Sequence, residues 1–305
     1  MRVATAFIET GQRLAAGLAA WRCRDTGEGR KPAPGRLVSR WSRVAGLRVH
    51  ALVSAEVATP GPMPVVLVHG LGMSSRYMAP LARCLAPHLP VSAPDLPGFG
   101  LSDRPPRTLT VRGMADALAA WMDDAGIERA ALIGNSLGCE VLVELALQRP
   151  DLVGRLVLQG PTPDREHASA LRQVAMFFLT GLFERPSIVW VALVDYLRAG
   201  IWRYARTMRH MHAYQMSDGL PHVAAPTLIV RGMHDHLVPQ SWVERMARLM
   251  PRARLVIVAG AAHGMNYSHP GQLQDAILPF LLDPGGVPAE ATPQPPLSVS
   301  TLPRR

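Results

Sequence analysis

The chain has 305 residues, 48% of them hydrophobic, with a formal net charge of +9 and only three cysteines. That length and apolar content fit one large globular unit and exclude a disulfide-stapled small domain or a low-complexity fibre. Cys23, Cys84 and Cys139 are too scattered for a disulfide framework or a Cys-x-x-Cys metal pattern, which suits a reducing cytoplasm.

In chain order, Phe7, Ile8, Leu14, Leu18 and Trp21 fall on one face of a helix. Glu9, Gln12 and Arg13 interrupt them, so the stretch lacks the continuous apolar core of a signal peptide. It reads as an amphipathic arm, packed on the body or lying peripherally on a membrane, or equally as a frayed extension. Residues 25–35, rich in Gly, Pro and charge, read as a linker, so residues 1–35 precede the core. Residues 37–44 and 47–55 flank Ala45-Gly46 as a hairpin. Further strands are predicted near residues 65–68, 91–94, 130–133, 155–159, 226–231 and 254–258, with helices between them. This alternation predicts an α/β fold with a doubly wound, mostly parallel sheet.

The chemistry-bearing residues sit at the ends of these strands. Val65-Val66-Leu67-Val68 runs into His69-Gly70-Leu71-Gly72, a loop able to aim backbone N–H groups at a developing oxyanion, or else a plain turn with a structural histidine. Residues 91–94 run into Asp95-Leu96-Pro97-Gly98-Phe99-Gly100-Leu101-Ser102. Ala130-Ala131-Leu132-Ile133 leads to Gly134-Asn135-Ser136-Leu137-Gly138, and residues 139–148 have the helical period. A Gly-x-Ser-x-Gly between strand and helix is a nucleophile elbow: side chains two residues to either side of the serine would collide with strand and helix. On its own the pentapeptide is equally compatible with an ordinary turn serine. Downstream, residues 226–230 precede Arg231-Gly232-Met233-His234-Asp235-His236-Leu237-Val238-Pro239, and residues 254–258 precede Ala259-Gly260-Ala261-Ala262-His263-Gly264.

With these motifs in this order, spanning roughly residues 36–283, the chain resembles the α/β-hydrolase superfamily. It is most similar to the capped serine branch of esterases, proline iminopeptidase-like enzymes and C–C bond hydrolases. The resemblance implies a catalytic triad of Ser136 as nucleophile, Asp235 as acid and His263 as base, in the chain order of this fold. It also implies an oxyanion hole from the Leu71 and Leu137 N–H groups, and no cofactor or metal. His234, His236 and His269 are rivals for the base, although His269 precedes Pro270 and is expected to open the last helix. Asp95 and Asp103 are rivals for the acid on a loop that in this family forms turns. Cys139, where relatives carry a further glycine, is expected to alter packing rather than chemistry. Met73 and Ser74, in place of a longer glycine run, weaken the C–C hydrolase comparison.

Residues 161–222 interrupt the strand–helix alternation where capped hydrolases carry a lid. Met176, Phe177, Phe178, Leu179, Ile188, Val189, Trp190, Val191, Tyr196, Trp202, Tyr204, Met208, Met211 and Tyr214 suggest, as a set, an apolar cover over Ser136, although helix packing explains many of them singly. No segment is long enough to span a bilayer. Residues 284–305, rich in Pro, Ser and Thr, read as a disordered tail, which leaves residues 36–160 and 223–283 as the core.

The expected reaction is hydrolysis of an apolar carboxylic ester or related acyl compound through an acyl-enzyme, with a small apolar acyl substrate as partner. Cleavage of a C–C bond beside a ketone, or of an N-terminal proline amide, stays open. The acids of the insertion (Asp164, Glu166, Glu184, Asp195, Asp218) are too scattered to select the latter. A non-catalytic small-ligand receptor on the same fold is the alternative from a different class. Lys31 is the only lysine, so the positive charge reads as arginine-rich composition without a nucleic-acid motif. Weak attraction to anionic surfaces or substrates stays open.

Overall fold

A computed structural model describes residues 35–55, 63–163, 179–180 and 183–283. The expected N-terminal arm, its linker up to residue 34 and the tail from residue 284 lie outside the described residues.

Eight strands form one sheet in the order β1-β2-β4-β3-β5-β6-β7-β8. Strands β1 (Leu37–Val44) and β2 (Leu47–Ser54) make an antiparallel hairpin, and Ala45 and Gly46 both take positive φ at its turn (47° and 81°). This conformation matches the twist of paired strands and is tolerated best by glycine. β2 also runs antiparallel to β4 (Val91–Pro94). From there β3 (Val65–Val68), β5 (Ala130–Asn135), β6 (Val153–Gln159), β7 (Thr227–Gly232) and β8 (Ala253–Val258) are all parallel. The doubly wound, mostly parallel sheet is therefore as predicted.

Among the described residues the α-helices are α1 (Ser75–Leu85), α2 (Val111–Asp124), α3 (Leu137–Gln148), α4 (Ser187–Ala199), α5 (Ile201–Ala213), α6 (Met216–Gly219), α7 (Gln240–Leu249), α8 (Met265–Ser268) and α9 (Pro270–Leu282). The alternation of strand side chains sends Val66, Val68, Leu132 and Ile229 to one face, against Leu118 and Met122 of α2, Leu142 of α3 and Val243 of α7. Val65, Leu67, Ile133 and Val230 go to the other face, against Met78 and Leu81 of α1 and Ile277 of α9. With both faces covered, the inner strands read as unbroken apolar runs, and removing a side chain such as Leu67 would cost about 2–5 kcal/mol. Parallel strands put all their C-terminal ends on one edge, so the loops after β3, β5, β7 and β8 converge there.

Candidate active site

Ser136 stands between β5 and α3 with φ 54° and ψ −122°. A left-handed backbone at a serine costs on the order of 1–3 kcal/mol, so the surroundings must hold it. They do so sterically: a Cβ on Gly138 would lie 2.4 Å from the Val68 carbonyl oxygen, and one on Gly134 would lie 2.7 Å from the Gly138 carbonyl. The Ser136 N–H donates to the Gln159 carbonyl at 3.1 Å, tying the turn to the end of β6. Cys139 is buried behind the elbow, where its thiol donates to the Gly134 carbonyl at 3.2 Å. Burial pushes that thiol's pKa well up, and its role is packing.

Asp235, in the loop after β7, is fully buried, and its Oδ2 lies 2.8 Å from Nδ1 of His263 in the loop after β8. Its Oδ1 accepts the N–H groups of Leu237 (3.0 Å) and Val238 (3.2 Å). A carboxylate can only accept here, so His263 Nδ1 carries the proton and Nε2 is left as the basic nitrogen. The buried Arg231 clasps the acid loop, with Nε donating to the Val238 carbonyl at 2.7 Å and Nη2 to the Asp235 carbonyl at 2.8 Å. Ser136 and His263 are joined through the backbone rather than by a direct side-chain bond. The amides of Asn135 (3.2 Å) and Gln159 (2.6 Å) both donate to the His263 carbonyl. Burial opposes the charged form of His263, but Asp235 and then Glu184 outweigh it and hold its pKa above 6.5.

Glu184 belongs to the segment inserted between β6 and β7. Its Oε1 accepts the Gly264 N–H at 2.5 Å, and its Oε2 accepts the Ser268 hydroxyl. The loop after β3 lies on the other side of the elbow. His69 is buried there, with Nδ1 donating to the Gly70 carbonyl at 2.9 Å and Nε2 accepting the Leu96 N–H at 3.0 Å. Burial lowers its pKa, so this histidine is a neutral structural tie. Leu71 and Leu137 flank the elbow, and their N–H groups have no backbone acceptor among the described residues. Gly72 has φ 73°, and a Cβ there would lie 2.6 Å from the Tyr196 ring and 2.9 Å from that of Tyr204. The Ser74 hydroxyl donates to the buried Asp195 of α4 at 2.6 Å, and Arg76 pairs with the same carboxylate.

The rival residues have structural partners. Asp95 accepts from the Ser75 N–H (2.6 Å) and the Leu101 N–H (2.9 Å) and bonds His50 Nδ1 at 2.9 Å. Asp103 pairs with Arg48 at the surface. His234 stacks on Phe183 with ring centroids 4.3 Å apart, and His269 stands at the start of α9 as expected, without a side-chain capping bond.

The apolar residues of the inserted segment divide between inward and outward positions. Tyr196 and Tyr204 turn toward the loop after β3, and Met211 and Met216 join the core. Val189, Trp190 and Trp202 face solvent. An almost wholly apolar helix such as α4 carries no polar stripe to say which face is buried. Met176, Phe177 and Phe178 lie outside the described residues. Motif reading also missed Asn135, Gln159, Arg231 and Glu184. For Gln159, a polar residue ending an apolar strand was an available signal. Among the described residues, no group of three His, Cys, Asp or Glu side chains could hold a metal ion, and no helix is long and apolar enough to cross a membrane.

Comparison with known proteins bears on the family and the fold. RutD of Pseudomonas savastanoi pv. phaseolicola (strain 1448A / Race 6), a protein named for carbamate hydrolysis, is 31% identical over 241 residues, covering 71% of this chain and 93% of the relative. A bacterial membrane phospholipase A, described as a virulence factor, has a similar structure (TM-score 0.70, 21% identity, covering 92% of this chain and 99% of that one). So has a thermophilic esterase from Thermogutta terrifontis (TM-score 0.65, 24% identity, 80% and 98% covered). The model of the alpha/beta hydrolase family matches residues 65–276, and with the sheet order above this shows that the chain belongs to the alpha/beta hydrolase family.

Proposed function

We propose that the protein is a serine hydrolase that cleaves an apolar carboxylic ester, or a related acyl compound, through an acyl-enzyme. The observation that carries this reading is the Asp235–His263 hydrogen bond, held against the strained elbow at Ser136 by the Asn135 and Gln159 amides. His263 Nε2 takes the proton of the Ser136 hydroxyl as it attacks the carbonyl, and Asp235 stabilises the imidazolium that forms. The Leu71 and Leu137 N–H groups, with the N-terminus of α3 behind them, receive the developing oxyanion. His263 then protonates the leaving group, and water, activated by the same nitrogen, releases the acid and regenerates Ser136. Residues 161–222 act as the lid on a core of residues 36–160 and 223–283, and Ile188, Tyr196 and Tyr204 supply the apolar wall that excludes water.

Ser136→Ala should abolish covalent labelling by a fluorophosphonate probe and lower ester turnover by at least about 1000-fold. Undiminished labelling would remove Ser136 from the mechanism. Carbamate cleavage is a second reading, favoured by the similarity to RutD. Matched p-nitrophenyl esters and N-substituted carbamates of the same acyl length would separate the two by their kcat/KM values.

A further inference from the structure

Helices α4 and α5, joined at Gly200, present an outer face that the proposed chemistry does not use. Trp202 is 78% exposed, Leu197 73% and Ile201 72%, and Val189 and Trp190 lie open beside them. Isolated exposed apolar residues are ordinary, but a contiguous set containing two tryptophans marks a surface that meets something apolar. The charge on this face has one sign. Arg198, Arg206 and Arg209 are exposed and Arg203 is half-buried. The one acid within α4 and α5, Asp195, is buried and bound to Ser74 and Arg76.

The two features meet in a cavity of about 250 Å³ whose walls include Arg104, Thr108, Ile201, Trp202, Arg203 and Arg206. Arg203 donates to the Pro105 carbonyl at 3.0 Å and Arg104 to the Arg198 carbonyl, so these two guanidinium groups are oriented by neutral acceptors. Burial, followed by repulsion from Arg104 and Arg206, pulls the Arg203 pKa down. Three like charges held around one opening are relieved by an anion that they share, and the planar guanidinium suits phosphate oxygens.

We propose that the outer face of α4 and α5 docks on an anionic phospholipid surface, with a lipid phosphate seated between Arg104, Arg203 and Arg206 and the side chains of Trp190, Leu197, Ile201 and Trp202 entering the interfacial layer. A free anion would satisfy the arginines and leave the tryptophans unexplained. A second copy packed symmetrically on this face would set arginine against arginine. A bilayer with acidic headgroups answers both features, because cations meet phosphate at the depth where tryptophan and aliphatic side chains meet the acyl boundary.

The test is vesicle co-sedimentation of the full chain, with phosphatidylcholine alone against phosphatidylcholine containing about 30 mol% phosphatidylglycerol. Binding should require the anionic lipid and weaken as salt rises. Each basic residue at such a surface is worth about fivefold, so a double Arg203→Gln, Arg206→Gln variant should bind about 25-fold more weakly. Brominated acyl chains should quench the parent's tryptophan fluorescence, and a double Trp190→Phe, Trp202→Phe variant should lose that quenching. Circular dichroism and unchanged fluorophosphonate labelling would show that both variants are folded. Three results would overturn the proposal: equal binding to uncharged vesicles, equal vesicle binding by variant and parent, or protection by inorganic phosphate without vesicle binding. A dimer in light scattering that Trp202→Ala dissociates, again without vesicle binding, would identify a second copy as the occupant and overturn it as well.

Discussion

The behaviour of His263 rests on carboxylates from two different parts of the chain. Asp235 fixes its proton on Nδ1, and Glu184 adds negative charge from the inserted segment. In the proposed mechanism the neutral ring is the active base, so kcat/KM should rise with pH through a value above 6.5. Glu184→Gln should move that limb to lower pH while fluorophosphonate labelling persists; an unmoved limb would mean that Glu184 only ties the loops together. Asp95 makes a contrasting case. It too is buried beside a histidine, and His50 Nε2 even reaches the Ser39 hydroxyl at 3.0 Å, so three residue types of a triad recur in line at the hairpin. No nucleophile elbow accompanies them, and Asp95 uses its oxygens to hold α1 and the Leu101 turn in place. Asp95→Ala should therefore lower stability by about 3 kcal/mol, read from urea unfolding, yet leave labelling of Ser136 intact in the cold. Asp235→Ala should reverse that ranking and lose labelling first.

At the scale of elements, the inserted segment makes contact with the loops of the candidate site. Tyr196 and Tyr204 close on Gly72, whose φ of 73° and lack of a side chain make the contact possible. Gly72→Ala combines a disfavoured backbone with a clash at 2.6 Å. It should cost more than about 1 kcal/mol and lower kcat more than it raises KM, because the Leu71 N–H moves with the loop. An unchanged kcat would remove this loop from the proposed oxyanion hole. The elements themselves were legible: β3 as a β-branched run, the hairpin from Ala45-Gly46, and the helix after Ser136 from its period. The orientation of α4 was not. Its run of Ile188, Val189, Trp190, Val191, Ala192, Leu193 and Val194 satisfies any face, and only the distant bonds of Asp195 to Ser74 and Arg76 choose one.

Across the whole molecule, the strands and the strand ends bearing Ser136, Asp235 and His263 were readable because each is local: a run, then a turn, then a small motif. The supports supplied by Asn135, Gln159 and Glu184 were hidden, since each joins loops far apart in sequence, and Arg231 was hidden because its bonds go to backbone carbonyls of its own loop, which carry no side-chain signature. Three buried titrating groups, Asp95, His263 and His69, shape how folding responds to pH. Burial alone would raise the pKa of Asp95, but His50, His69 and the Leu101 N–H hold it below its ordinary 3.8. Its contribution to stability is thus present above 3.8 and lost as pH falls through the lower folded value. The pKa of His263 is raised, so its contribution is full below 6.5 and lost as pH rises through the higher folded value. Below 6.5 His69, whose pKa burial lowers, acts against His263, so Asp95 and His69 together set the acid limb of stability. Calorimetric Tm values over a pH series should fall along that limb; a Tm that kept rising as pH fell toward 3.8 would contradict it. The latches that hold the inserted segment bear on how new specificities could be engineered. Asp195 fastens it to the loop after β3, and Glu184 fastens it to the loop after β8, one on either side of Ser136. A foreign cover transplanted onto this sheet would have to import both carboxylates at matching positions, or the scaffold beneath it would lose its alignment along with its old substrate.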